Sequence, residues 1–233
     1  LHYFVGHSLG LQPKSAESVL MEELEAWRTL AVRGHFEGAL PWMDYNQRLR
    51  RPLADLFGAS PEEVVVMNTL TVNLHLLMVS FFRPQGKRRK ILIEKHAFPS
   101  DRYAVESQLR FHGLDPEQCL LELEAPRGAQ TIDESEIEDF LSSRGDEIAL
   151  LLWPGVQYIT GQAFKLPRIA QAARHAGANI GFDLAHHVGN LRLELHDSGC
   201  DFAAWCHYKY LNAGPGAVAA FTAHAILDLV LLA

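Results

Sequence analysis

Two rhythms of apolar residues alternate along this chain. Pro13 to Arg33 carries a helical pattern in which Leu20, Leu24, Trp27 and Ala31 share a face; Pro13 suits its first turn and Gly34 closes it. Val64 to Met67 is a short β-branched run, followed by an apolar helical stretch from Leu70 to Phe82. Ile91 to Ile93 predicts a second strand, and Ser100 to His112 a helix closed by Gly113. Cys119 to Leu123 predicts a strand and Asp133 to Ser142 a helix. Ile148 to Trp153 is continuously apolar and too short for a typical helix, which suits a strand buried on both faces. Leu166 to Ala176 reads as helix up to Gly177, and Asn179 to Asp183 and Phe202 to Trp205 as further strands. No internal repeat or low-complexity segment interrupts this order.

Strand and helix in alternation predict an α/β fold, a mostly parallel sheet flanked by helices. In such sheets ligands collect beyond the carboxyl ends of the strands. Candidate site residues therefore fall in Asn68 to Thr71, Lys95 to Asp101, Pro154 to Gly161, Asp183 to His187 and His207 to Asn212. Thr69 or Thr71 suits the cap of the following helix, whose free N–H groups favour a phosphate; capping alone is the simpler role.

Composition narrows the class. The 233 residues are 48% apolar and 21% charged, enough to build a substantial core, and at about 150 residues per domain they make one to two domains. Twenty-one basic against 28 acidic residues give a net charge of −7, so no overall charge favours nucleic acid. The one basic run, Lys87-Arg88-Arg89-Lys90, reads as a solvated loop. No stretch approaches the roughly 20 apolar residues of a bilayer span. The three cysteines, Cys119, Cys200 and Cys206, lack CxxC spacing, so a cytoplasmic setting is the expectation.

Asp183 ends the strand-like Ile180-Gly181-Phe182, where a carboxylate requires a partner. Lys209 follows between Tyr208 and Tyr210, ahead of the flexible Asn212-Ala213-Gly214-Pro215-Gly216. A strand-end aspartate with a lysine beside a polar aromatic suits pyridoxal phosphate: the lysine forms a Schiff base and the aspartate keeps the pyridine nitrogen protonated. A surface lysine and a salt-bridged aspartate are the commoner fates of such residues. Phe98, followed by Pro99, Ser100 and Asp101, offers an aromatic face with a hydroxyl and a carboxylate, although a lone phenylalanine is usually core.

The segments Gly6-His7-Ser8-Leu9-Gly10-Leu11-Gln12-Pro13-Lys14, Leu70-Thr71-Val72-Asn73-Leu74-His75, Phe98-Pro99-Ser100-Asp101, Gly161-Gln162, Gly181-Phe182-Asp183-Leu184-Ala185-His186 and Tyr208-Lys209-Tyr210-Leu211-Asn212-Ala213-Gly214 together resemble the kynureninase family, in order from about Tyr3 to Gly216. Singly, the Asp-x-Ala-His and Tyr-Lys motifs are shared with relatives such as cysteine desulfurases. The resemblance implies a fold-type-I, pyridoxal-phosphate-dependent large domain over residues 46–233, preceded by an N-terminal helical segment over 1–45. It also implies hydrolysis of L-kynurenine or 3-hydroxykynurenine to the corresponding anthranilate and L-alanine, in tryptophan catabolism and NAD biosynthesis. Lys209 would hold the cofactor and move the α-proton, Asp183 would pair with the pyridinium nitrogen, and His186 would lie beside the ring. Phe98 would stack on the ring, while Leu70, Thr71, Pro99, Ser100 and Asp101 would shape the phosphate and cofactor pocket. Tyr208 would bind the phosphate and relay protons, and His35 would lie near the substrate's aromatic end. A homodimer is implied as well.

Departures from the family pattern are His7 in place of the usual asparagine, Pro154 in place of a small polar residue in some members, and fading resemblance after about Gly216. Family members continue into a small C-terminal domain that carries the arginine for the substrate carboxylate. The chain is therefore expected to be a fragment or to shift frame near its end, to retain most of the cofactor cradle, and to hydrolyse kynurenine poorly. Its apolar tail, Ile226 to Leu232, would replace a lost strand or lie exposed. The competing readings are another enzyme of the same fold, such as a cysteine desulfurase, and a non-catalytic remnant. Among the twelve histidines, His186-His187 with Asp183 forms the one tight cluster, and adjacent histidines point to opposite sides, so no metal is expected.

Overall fold

A computed structural model describes residues 2–224; the apolar tail lies outside them. Helix α1 (Ala16–Leu30) opens the chain, followed by short 3-10 turns and α2 (Tyr45–Phe57). Then come β1 (Val64–Val66), α3 (Leu70–Phe81), β2 (Lys90–Glu94), α4 (Pro99–Phe111), α5 (Pro116–Cys119) and β3 (Leu120–Leu123). The remainder is α6 (Glu134–Arg144), β4 (Ile148–Pro154), α7 (Leu166–His175), β5 (Asn179–Asp183), α8 (Leu195–Ser198), β6 (Phe202–Trp205) and β7 (Ala220–Ala223).

The strands form one sheet in the order β1-β7-β6-β5-β4-β2-β3. Strand β7 runs antiparallel to β1 and β6, and the other pairings are parallel. Alternate residues feed two cores, as a pleated strand requires. Leu92, Leu151, Trp153, Ile180, Phe182 and Trp205 pack on Ile137 and Leu141 of α6 and on Ile169 and Ala173 of α7. Ile91, Ile93, Leu150, Leu152 and Phe202 pack on Leu74, Leu77 and Met78 of α3 and on Val105 and Leu109 of α4. Each buried side chain of this size contributes about 1.5–3 kcal/mol relative to exposure. Gly181 makes the second core possible, because a Cβ there would sit 2.0 Å from the Phe202 ring. The mostly parallel sheet flanked by helices is the fold expected from the sequence.

Four elements differ from expectation. Helix α1 ends at Leu30, with Ala31 at a φ of 48°, before Gly34 is reached. Gly34 serves close packing instead, since a Cβ would meet the Trp42 ring at 2.6 Å. The apolar stripe of α1 is not covered: Leu20, Leu24 and Trp27 are all exposed, and the helix buries no residue. Helix α2 contains Pro52, a residue that reads as a breaker yet here costs one internal hydrogen bond without ending the helix. The basic run is only partly a solvated loop: Lys87 and Arg89 are exposed, but Arg88 and Lys90 are not. Arg88 donates to the carbonyls of Gly145, Ile148 and Ala176 at 2.7–2.9 Å, tying the loop before β2 to the ends of α6 and α7. Lys90 pairs with Glu147 at 2.7 Å.

Candidate active site

The parallel strands β2, β4, β5 and β6 deliver their carboxyl ends to one cleft. Its lining includes Glu94, Phe98 and Asp101 from the β2–α4 region, Pro154, Gln157 and Tyr158 after β4, and Asp183 and His186 after β5. Phe98 caps α4, and Pro99 occupies the first turn with φ already set for helix. That turn carries Ser100 and buries Asp101 beneath the cleft; the Ser100 hydroxyl donates to Asp101 Oδ1 at 3.3 Å. The Phe98 ring stays 42% exposed, so it is a wall of the cleft and not core. Tyr158 meets it edge-on at 5.1 Å between ring centroids.

Asp183 ends β5 in register with Pro154, and its Oδ1 accepts from the Ala185 N–H at 2.8 Å. Asp101 lies close to Asp183, and burial, reinforced by the Asp183 charge, raises its pKa well above the usual carboxylate range. Burial therefore favours the protonated form of Asp101 beside Asp183. Lys209 follows β6 and is 8% exposed. Its Nζ donates to His186 Nε2 at 2.9 Å and lies 5.7 Å from the centre of the Phe98 ring. Burial, then the positive charge of Lys209, pushes His186 down to about 4, so this imidazole is neutral and free to accept that bond. Charge from His7 acts in the same direction, which puts the N-terminal loop beside the site.

Tyr208 is half-buried, its ring centre 5.9 Å from Lys209 Nζ. Burial, followed by the neighbouring Cys206, lifts its phenol to about 12 and keeps it protonated. Leu70 and Thr71 begin α3. Thr69 caps that helix through the Val72 N–H, leaving the Thr71 hydroxyl uncommitted to capping. His35 lies apart in the N-terminal segment, edge-on to Trp42 at 5.5 Å, and does not line the cleft. His207 is structural: its Nε2 accepts from the Trp205 indole at 3.1 Å and its Nδ1 faces the Val218 carbonyl at 2.6 Å.

Two features of the site escape a reading of the sequence. Glu94 looks like the end of an apolar strand, yet it is 6% exposed and burial lifts its carboxyl to about 7. Gly10 straps the N-terminal loop across the Lys209 turn. Its N–H donates to the Tyr208 carbonyl at 2.8 Å, and the Leu11 N–H donates to Asn212 Oδ1 at 2.9 Å. A Cβ at Gly10 would fall 2.2 Å from the Lys209 carbonyl oxygen, so only glycine fits.

A mostly parallel sheet with a buried lysine after one strand and a buried aspartate after its neighbour defines an α/β enzyme of the fold-type-I class. Within that class the chain belongs to the class-V aminotransferase family, whose model matches residues 3–227. A kynureninase from Xanthomonas campestris pv. campestris is 58% identical over 223 residues, covering 96% of this chain and 53% of the relative. One from Stenotrophomonas maltophilia is 57% identical over 222 residues, covering 95% and 52%. The chain thus spans about half the length of the curated relatives it matches. Among solved structures, a cystine C-S lyase with its product cysteine persulfide superimposes with a TM-score of 0.76 at 20% identity, over 96% of this chain and 57% of that one. An apo cysteine desulfurase from Thermococcus onnurineus NA1 gives 0.72 at 20% identity, over 96% and 53%. These two share the fold.

Proposed function

We propose that this chain forms the cofactor-binding part of a kynureninase that hydrolyses L-kynurenine or 3-hydroxykynurenine to the corresponding anthranilate and L-alanine with pyridoxal phosphate. One observation carries the reading: Lys209, His186, Phe98, Asp183 and Asp101 converge on one cleft, in a chain 58% identical to a kynureninase. The donor set fits the cofactor. A flat aromatic wall, a lysine amine above it and a strand-end carboxylate beside a proton-holding acid match a ring, an aldehyde and a pyridine nitrogen.

When bound, pyridoxal phosphate supplies an electron sink for charge developing on the substrate carbons. Lys209 would hold the cofactor and move the α-proton, with its Nζ positioned by neutral His186. Asp183 would pair with the ring nitrogen, with Asp101, whose protonated form burial favours, beside it. Phe98 covers one face of the ring, with Pro99 and Ser100 fixing its turn. Leu70, Thr71 and the free N–H groups of α3 receive the phosphate. Tyr208, protonated across the physiological range, donates to the phosphate or to a departing group. His35 packs on Trp42 outside this cleft, so contact with the substrate's aromatic end would require it to move closer than it lies here.

The exposed stripe of Leu20, Leu24 and Trp27 on α1 supports a homodimer in which a second copy covers it. In this reading residues 1–45 are the interface segment and residues 46–233 the cofactor domain. Three free, buried cysteines support a cytoplasmic setting. Among the described residues no helix is long and apolar enough to cross a membrane.

The test is release of fluorescent anthranilate from L-kynurenine by the full-length protein. Turnover that requires pyridoxal phosphate and disappears in Lys209→Ala supports the proposal. Sulfide release from cysteine without anthranilate formation overturns it in favour of the desulfurase reading.

A further inference from the structure

Among the described residues, Glu63, His196 and His224 form a set of three donors whose ligating atoms lie within 4.8 Å of one another. They meet at the end of the sheet opposite the cleft. Glu63 closes the 3-10 turn (Pro61–Glu63) that enters β1, His196 lies in α8 ahead of β6, and His224 directly follows β7. Because β7 runs antiparallel to β1 and β6, its exit falls beside their entries.

The geometry is that of an ordered site. Nδ1 of His196 is 2.9 Å and Nδ1 of His224 is 3.1 Å from the same oxygen, Glu63 Oε1. The other oxygen, Oε2, accepts from the Ser60 N–H at 2.9 Å in a capping box, which fixes Oε1 toward the two rings. Both histidines are held by their backbones: the His196 N–H donates to the Gly58 carbonyl at 2.8 Å and the His224 N–H to the Asp201 carbonyl at 3.0 Å. A tetrahedral zinc ion with ligand bonds near 2.0–2.1 Å spaces its donors about 3.3 Å apart. The two carboxylate–imidazole separations need only a few tenths of an ångström of expansion to admit an ion, and all three donors lie within 4.8 Å of one another. Both imidazoles are about half exposed, so an ion and its remaining water ligands have access.

We propose that Glu63, His196 and His224 bind a divalent transition-metal ion of the zinc type. Two imidazoles and one carboxylate are borderline donors that suit Zn²⁺ and its spectroscopic surrogate Co²⁺ and disfavour Mg²⁺ or Ca²⁺, which prefer all-oxygen shells. The Ser60 N–H on the far carboxylate oxygen is the kind of outer contact that orients a ligand. The ion would tie the entry of edge strand β1, the short α8 and the exit of β7 together. It would act as a staple remote from the cleft, with no part in the chemistry there.

The test is calorimetric titration of chelator-treated, cofactor-saturated full-length protein with Zn²⁺, with visible spectra of the Co²⁺ form in parallel. One equivalent is expected to bind per chain. His196→Ala and His224→Ala should each weaken binding by more than about tenfold, the lower end of what losing an outer-shell partner costs. The Co²⁺ bands should disappear in both. His175→Ala, an exposed histidine at the end of α7, should bind as the wild type does. Since both ligand histidines are half exposed, circular dichroism should show the variants folded; His196→Asn and His224→Asn serve as gentler replacements if it does not. Zinc affinity in the wild type no greater than in the His196→Ala/His224→Ala double variant, or no binding at all, would overturn the proposal.

Discussion

The cleft and the N-terminal helix invert each other's surface logic. In the cleft, charged groups are buried: Asp101, Asp183 and Lys209 are each at most 8% exposed. On α1, large apolar groups are exposed, Trp27 at 67% and Leu20 at 64%. Burying charge is costly without a partner, and exposing an apolar stripe forgoes the main stabilising force of folding. The cleft meets its cost largely inside this chain, by burial favouring a protonated Asp101 beside Asp183 and by seating Lys209 on a neutral histidine. The stripe of α1 has no cover among the described residues. The difference separates a site whose chemistry is local from a surface whose stability depends on something added.

Replacing Lys209 with alanine attacks the cleft alone. Kynurenine turnover in the full-length protein should fall by at least about 10³-fold, within the range general acid–base groups supply, while sedimentation shows an unchanged oligomer. Asp183→Asn comes next. Loss of the carboxylate proposed to pair with the ring nitrogen should lower kcat by about 10²-fold, with folded stability near that of the wild type. Gly10→Ala probes the seam between the two regions, because the added methyl would strike the Lys209 carbonyl. It should cost about 1–3 kcal/mol by denaturant titration and loosen the strap over the lysine turn.

Glu94→Gln sharpens the contrast through pH. The folded carboxyl titrates at about 7, above its ordinary value of 4.5. Between those values the folded state binds the extra proton, so stability is fullest below 4.5 and falls as pH rises through 7. The glutamine variant should lack that decline, which amounts to about 2 kcal/mol in urea melts at pH 5 and pH 8. Leu24→Ser, the smallest change, should leave the unfolding of a single chain within about 0.5 kcal/mol of the wild type. It should still raise the dissociation constant of the proposed dimer, read by analytical ultracentrifugation.

The sequence announced those parts of the molecule whose physics is local. Ile148 to Trp153 became β4 because a run that short and that apolar fits only a doubly covered strand. Phe98 to Asp101, Asp183 to His186 and Tyr208 to Lys209 lie at strand ends, where a parallel sheet gathers ligands, and the structure brings them to one cleft. Other features depend on partners distant in the chain. Strand β7 was hidden in an alanine-rich stretch after Gly216, and it forms because β1 and β6 offer it two edges. Helix α2 was concealed by Pro52. Arg88 looked solvated because its three carbonyl partners come from loops 57 to 88 residues further on. Glu63 meets His196 across 133 residues, so no spacing rule reveals that pair. His35 matched a family position, yet it packs on Trp42 away from the cleft in this chain.

The account rests on Lys209 as the residue that carries the cofactor. Borohydride reduction of the full-length protein loaded with pyridoxal phosphate, followed by peptide mass mapping, examines this directly. The phosphopyridoxyl group is predicted on the peptide containing Lys209, and absent there in Lys209→Ala. Its appearance on another lysine, or on none, would contradict the account.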